Sequence, residues 1–223
     1  MHCRLLIISS LFIFTVMPGL TQTASVQIGT QVPLFYSAGF ELEAKNGLAF
    51  NFQSGILTKP YDAAILGTLK LFGTDEAIVN TIGEAFDYGF ILQPSVKYHF
   101  KKWYTGLSYS YYSLVASDAP ASLIENYYGI TLPVTARNKE LQLNSELQNA
   151  GILFGREFQF KNPGWQLSLE LSLAKTFWSR SRLSNDNGDL PRLSAPIDEE
   201  LNQYFIEYGY LPSINVFLVR KLR

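Results

Sequence analysis

WQLSLELSLAKTF, residues 165–177, decides how this chain folds, because apolar and polar side chains alternate along it with a period of two. One face would carry Trp165, Leu167, Leu169, Leu171 and Leu173. The other would carry Gln166, Ser168, Glu170 and Ser172, since successive side chains of a strand point to opposite sides. A helix does not produce this spacing. The segment is therefore predicted to be a β-strand, whose apolar face meets either a protein core or lipid.

The N-terminus, residues 1–24, has the pattern of a secretory signal peptide. A single basic residue, Arg4, precedes an apolar run over 5–16, and small and polar residues follow. The run is shorter than the ~20 residues that a membrane-spanning helix needs. We expect cleavage near Ala24, within the range 21–25, which leaves one domain, 25–223.

The mature chain lacks cysteine and has one histidine, the residues on which many catalytic and metal sites depend. The one cysteine, Cys3, lies in the predicted signal, so disulfides, cysteine metal sites and a cysteine nucleophile are excluded. His99 is the only histidine besides His2, and without a second one a hydrolytic triad cannot be assembled, so a structural polar role is preferred for it. We therefore expect no enzyme activity and no cofactor.

Alternation recurs along the whole mature chain. Hydrophobic residues make up 47% of the sequence and aromatic residues 14%, although no mature segment is apolar for long. An exported chain that is apolar only at alternate positions suits a transmembrane β-barrel, in which one side of each strand touches lipid. Predicted strands lie at 25–32, 34–42, 48–56, 90–100, 103–115, 150–160, 165–177 and 210–222.

Short and long connections alternate, which predicts an orientation. Short turns of such barrels are periplasmic and long loops external. Trp103 and Trp165 each follow a short turn and would form a girdle at the membrane interface. Arg156 falls on the apolar face by parity, so either a bulge shifts it or its side chain reaches the headgroups.

A predicted signal peptide, eight alternating strands, short turns followed by Trp and a C-terminal strand together resemble the small outer-membrane β-barrel proteins of Gram-negative bacteria. The resemblance implies a closed, antiparallel, up-and-down barrel of eight strands, all-β apart from short helices in long external loops. Its partners would be outer-membrane lipid and the barrel-assembly machinery. The chain departs from the family in lacking a terminal aromatic residue, so recognition by that machinery is either looser or reads Phe217.

An eight-stranded barrel has an interior that side chains can fill. Charges and amides in this narrow space are expected to pair into a hydrogen-bonded plug, because unpaired buried charges are costly. The predicted plug residues are Glu41, Asn51, Gln53, Gln93, Lys97, Glu157, Gln166 and Glu170. A catalytic acid and base formed by Glu41 and Glu170 is the less favoured alternative.

The long loops, 58–86, 117–145 and 179–208, are candidates for contact with an extracellular partner. Helical spacing over 63–86 and 197–208 predicts helices that bind a partner or pack on the barrel. The segment 184–189, SNDNGD, suggests either an exposed turn or a calcium loop that lacks the bidentate Glu. Nothing in the chain indicates nucleic-acid binding.

The function that follows is a non-enzymatic outer-membrane barrel that anchors external loops for surface interaction or envelope integrity. Binding or passage of an apolar ligand is one alternative, and lipid modification at the outer leaflet is another. A soluble exported β-sandwich or lipocalin-like barrel is the competing architecture.

Overall fold

The computed structural model describes residues 21–32, 35–57, 88–116, 142–162, 164–185, 188–189 and 191–222. Nearly all of them lie in strands. The elements are β1 (Thr21–Val32), β2 (Phe35–Ala44), β3 (Leu48–Leu57), β4 (Tyr88–Phe100), β5 (Trp103–Ala116), β6 (Gln142–Gln159), β7 (Trp165–Asn185), β8 (Gly188–Asp189), α1 (Pro191–Tyr208) and β9 (Tyr210–Leu222).

Eight of the strands close into an antiparallel barrel. From β1 to β7 each strand pairs with the next one along the chain, and β9 pairs with both β7 and β1. β8 has only two residues and extends the end of β7. Closure leaves the eight long strands without a free edge, and the predicted eight-stranded, up-and-down barrel is confirmed.

Tight turns join the strands at one end of the barrel. At the β2–β3 turn Gly47 has φ 82° and its N–H donates to the carbonyl of Ala44 at 3.0 Å. The side chain of Asn46 accepts a hydrogen bond from the N–H of Leu48 at 3.1 Å. The Asn-Gly pair thus forms a tight hairpin turn, as this dipeptide favours between two strands.

Strands β6 and β7 are longer than predicted, which corrects the bounds of two loops. Residues 142–145 and 179–185, expected in the loops 117–145 and 179–208, are strand, and most of the second loop is helix α1. The hydroxyls of Ser145 and Ser181 lie 2.9 Å apart across this extension. Its outward side chains are mostly polar, so it lacks the apolar alternation from which the other strands were predicted.

A β-bulge interrupts β7 where it leaves the apolar band. Gln148 pairs with Trp178 and Asn149 pairs with Thr176, so Phe177 has no partner on β6. The extra residue exchanges the two faces of the strand. Thr176 is buried in the barrel, and beyond the bulge the residues that point inward are Ser179, Ser181 and Leu183.

Helix α1 folds back onto the inner side of this extension. Ser179 Oγ donates to Asn202 Oδ1 at 2.7 Å, and the backbone N–H of Ser181 donates to Asp198 Oδ1 at 2.5 Å. The helix begins at Pro191, six residues before the predicted start. Within the described residues, no helix has the length and apolar character needed to cross a bilayer.

Several predictions concern residues outside the described ranges. The helix at 63–86, the loop 58–86 and most of the loop 117–145 belong here, as does the signal peptide up to residue 20. Strand β1 begins at Thr21 and pairs there with Ala44, so it includes four residues that cleavage after Ala24 would remove. In the segment 184–189, Ser184 pairs with Asp189 and 186–187 lie outside the described ranges. Calcium binding there stays a prediction.

Candidate functional site in the barrel lumen

The barrel exposes its apolar side chains on the outside. Leu107, Ile152, Ile28, Ile214 and Leu171 are 58–68% exposed, on five different strands. A continuous apolar wall of this kind suits lipid rather than water. The polar residues that alternate with them along the strands point inward. The candidate site is therefore the lumen of the barrel.

A buried lysine lies at the centre of the polar lumen. Lys97 Nζ is 3.4 Å from Glu41 Oε2 and 3.2 Å from Glu170 Oε2, and the lysine side chain is 2% exposed. The ammonium also lies over the ring of Tyr104, 4.6 Å from its centroid. One cation on β4 thus joins carboxylates from β2 and β7, two strands that are not neighbours in the sheet.

Amide side chains also donate hydrogen bonds to both carboxylates, to the oxygen of Glu41 that Lys97 contacts and to the other oxygen of Glu170. Asn51 Nδ2 donates to Glu41 Oε2 at 3.3 Å. Asn215 Nδ2 donates to Glu170 Oε1 at 2.7 Å. Charged groups so far from water require such partners. Asn215 was not predicted to be part of the site, although it alternates with the apolar residues of β9.

Glutamines form a second cluster in the lumen. Gln31 Nε2 donates to Gln53 Oε1 at 2.7 Å and to Gln93 Oε1 at 3.1 Å. Gln53 and Gln93 were predicted inside, whereas Gln31, near the end of the predicted strand 25–32, was not among the predicted plug residues. Gln166 is also buried, with 4% of its surface exposed. The structure therefore places the predicted amides in the lumen.

His99 lies at the short-turn end of the lumen, between two carboxylates. Its Nε2 is 3.4 Å from Glu41 Oε1, and its Nδ1 is 3.6 Å from Glu157 Oε1. One ligand atom from each of these three residues lies within 4.8 Å of the others, so the group could hold a metal ion. The two ring nitrogens of His99 nevertheless contact different carboxylates, Nε2 that of Glu41 and Nδ1 that of Glu157. This arrangement favours a histidine that bridges two carboxylates over a metal site.

Tyr104 fills the lumen where a glycine makes room for it. Its ring is 1% exposed, and its hydroxyl is 2.6 Å from Ser168 Oγ. A Cβ placed on Gly155, its partner on β6, would lie 2.2 Å from Tyr104 Cζ. Sequence parity places Tyr104 inside, but only the register of β5 and β6 shows that Gly155 accommodates it.

The end of the lumen nearest α1 is apolar, and the predicted polar plug did not include this region. Its buried cluster consists of Phe35, Leu57, Ile91, Tyr112, Leu114 and Leu147. Phe205 of α1 and Leu211 of β9 pack against this cluster. The physical reason is that the apolar side chain of Phe205 needs apolar neighbours. If polar side chains filled this end instead, packing of the helix would bury them without hydrogen-bond partners.

The two predicted girdle tryptophans face outward at the short-turn end. Arg156 Cζ lies 4.9 Å from the ring centroid of Trp103, and Arg220 Cζ lies 5.2 Å from that of Trp165. No bulge displaces Arg156, which keeps its outward position in register with Trp103. Each arginine can contact an aromatic ring and headgroups together. That this rim lies at the membrane interface stays a prediction.

Phe217, the proposed alternative signal for assembly, is fully buried in the lumen. A Cβ on Gly29, its partner on β1, would lie 2.6 Å from the Phe217 ring. Recognition by the assembly machinery stays a prediction, and this burial restricts it to a stage before the barrel closes.

Comparison with known proteins supports the fold. No protein-family model and no curated protein sequence matches the chain. A major outer membrane protein from Thermus thermophilus is similar in structure, with a TM-score of 0.53 and 12% identity over 90% of this chain and 98% of that one. CarO2 and CarO of Acinetobacter baumannii are more distant: both have a TM-score of 0.38, with 9% and 12% identity over 90% of this chain and 98% and 97% of theirs. With a closed barrel and an apolar outer wall, the chain has the architecture of an integral outer-membrane β-barrel protein.

Proposed function

We propose that this protein is a non-enzymatic outer-membrane barrel with a sealed lumen, which anchors its external segments for surface interaction or envelope integrity. The observation that carries the proposal is that side chains fill the lumen in two regions, one polar and one apolar. Charged and amide side chains cross-link the strands around Lys97. Nearer α1, the apolar cluster packs against Phe205 and closes the other end.

The contacts of the polar region around Lys97 support an anchoring role rather than catalysis. The atoms of Glu41 and Glu170 nearest Lys97 are held by its ammonium, and amides hold both carboxylates as well. A general acid or base must reach a substrate proton at hydrogen-bonding distance, and carboxylates engaged in this way inside a filled barrel offer no such access. The interior therefore acts as a rigid internal support for the strands.

Binding of an apolar ligand is the second candidate, and the apolar cluster favours it. Phe35, Ile91 and Tyr112 would offer a ligand an apolar surface if α1 moved away. The helix is held by hydrogen bonds to Ser179 and Ser181, so entry of a ligand must break them. We favour the anchoring function because the cluster already has an occupant in Phe205.

Conductance in planar bilayers tests the sealed lumen. The parent protein should show no stable open channel, while Tyr104→Ala, which empties the space beside Gly155, should admit ions. Heat-modifiable migration in gels would show that both proteins are folded. Stable conductance of the parent at neutral pH would contradict the sealed barrel.

Cysteine labelling tests which end faces outward. The only cysteine, Cys3, lies in the predicted signal peptide, so single cysteines can be introduced at Gln203 of α1 and at Lys102 in a short turn. A membrane-impermeant maleimide should label Gln203→Cys on intact cells, and Lys102→Cys only after the outer membrane is permeabilised. The reverse pattern would overturn the orientation, and labelling of neither site in a membrane fraction would count against insertion.

The cellular role requires a separate test. A deletion strain should become more sensitive to detergent or lose adhesion to a surface, and the full chain should restore the property. A variant that keeps the barrel but lacks α1 is the matched comparison. If the deletion changes neither property, the anchoring role is wrong even where the fold is right.

A further inference from the structure

The outward face of β7, on both sides of the bulge, carries a group of cations. Lys175, Arg180 and Arg182 are all exposed; we call these three residues the basic patch. Before the bulge the outward residues of β7 are odd-numbered, and beyond it they are even-numbered. Without the bulge Arg180 and Arg182 would point into the lumen. The irregularity therefore directs two arginines to the outside.

Within the described residues, no carboxylate pairs with the arginines of the patch. Glu146 of β6 lies in register with Arg180, yet neither arginine forms an ion pair within 4 Å with any residue in the part of the chain that the structure describes. Lys175 Nζ donates to the hydroxyl of Tyr210 at 3.0 Å, a neutral partner that leaves its charge uncompensated. Among the residues that the structure describes in this part of β6 and β7, three cations thus face outward beside one carboxylate.

Aromatic and amide side chains surround the patch. Trp178 and its partner Gln148 share the outward face, as do Tyr111 and Asn144. Aromatic faces and amide groups can contact sugar rings and their hydroxyls, while guanidinium groups form paired hydrogen bonds with phosphate oxygens. The combination fits a ligand that carries both phosphates and sugars.

The height of the basic patch above the lipid-facing wall restricts the class of ligand further. From Trp165 to Lys175 the strand advances roughly 33 Å, or about 25 Å along the membrane normal at the usual tilt, which matches the apolar band of such barrels. Lys175 would therefore lie at the outer edge of that band. Arg180 and Arg182 would stand roughly 10 to 18 Å above it, beyond the roughly 5 to 8 Å of a phospholipid headgroup layer and at the height that the sugars of a glycolipid can reach.

We propose that the basic patch binds the phosphate groups of a phosphorylated glycolipid in the outer leaflet. This inference rests on the outer-membrane orientation of the proposed function. The apolar wall below the patch would contact the acyl chains of the same lipid, Lys175 would reach its innermost phosphate, and the two arginines would bind phosphates of its sugar core. The site is thus continuous with the lipid-facing surface of the barrel.

The test is a titration of the purified, folded protein in neutral detergent, followed by native mass spectrometry. The probes are a lipopolysaccharide with its phosphates, the same lipopolysaccharide after dephosphorylation, and inorganic phosphate alone. The parent should bind the first most tightly. Arg180→Gln with Arg182→Gln should lower that affinity about fivefold to thirtyfold, as expected for the loss of two partly exposed charge contacts. The matched control, Lys101→Gln with Lys102→Gln at the opposite end, should bind like the parent.

Three results would overturn the inference. Equal binding of the phosphorylated and dephosphorylated lipids would exclude phosphate recognition, and competition by inorganic phosphate at the same concentration would indicate a free-anion site. An equal loss in the control pair would indicate only a general charge effect. Heat-modifiable migration identifies any variant that fails to fold, and Arg182→Gln alone then serves as the test.

Because the assay uses detergent, it can fail while cysteine labelling still supports the proposed orientation.

Discussion

Replacing Leu171 by arginine would place a charge on the lipid-facing wall near the middle of the apolar band. Leu171 is 58% exposed and lies six residues after Trp165. Six residues advance about 20 Å along the strand and about 15 Å along the normal of a band that is about 25 Å tall. Its register partners, Phe154 and Ile214, are outward-facing and apolar, so neither can compensate a new charge.

The expected cost of Leu171→Arg is about 2 to 4 kcal/mol in the free energy of unfolding, as measured for arginine at the bilayer midplane. Leu48→Arg is the matched control, because Leu48 is 47% exposed and begins β3 beside a short turn. Near an interface the cost falls to about 0 to 1 kcal/mol. Leu169 is a poorer site, since Arg156 lies beside it in register.

Guanidinium unfolding in phospholipid vesicles, followed by tryptophan fluorescence, measures both variants. The folding and unfolding curves must coincide for the free energies to be compared. If Leu171→Arg loses no more stability than Leu48→Arg, the outer wall does not face lipid. In that case the soluble exported barrel considered from the sequence would be the better description.

Two further predictions concern the lumen. Gly155→Ala should destabilise the barrel by about 1 to 3 kcal/mol, because its Cβ would overlap the ring of Tyr104; the same change should cost less in a Tyr104→Leu background, as a double-mutant cycle would measure. Lys97→Met should cost about 3 to 5 kcal/mol, since it leaves two buried carboxylates without a cation. Adding Glu41→Gln and Glu170→Gln should recover much of that loss in the same unfolding assay, and a triple variant as unstable as Lys97→Met would refute the charge explanation.

Alternation along the sequence was sufficient to predict the barrel, its strand count and some of its inward-facing polar residues. Period two assigns each side chain to a face, and closure requires the strand count to be even in this class of barrel. Glu41, Lys97 and Glu170 were therefore placed inside before any contact between them was known. Which of them meet could not be predicted, because pairing across a lumen depends on the register of strands far apart in the chain.

Register and irregularities were decided only by the tertiary structure. One extra residue at Phe177 reverses the faces of β7, so Arg180 and Arg182 point outward although continued parity would have placed them inside. Period two puts Ile91 on the inward face of its predicted strand, but only the fold brings Phe205 of α1 against the apolar cluster to which Ile91 belongs. The alternating sequence by itself determined the barrel and its two faces, because period two is a local property of a strand. The bulge, the charge pairs and the seat of α1 depend on contacts between distant segments, and only the folded chain could decide them.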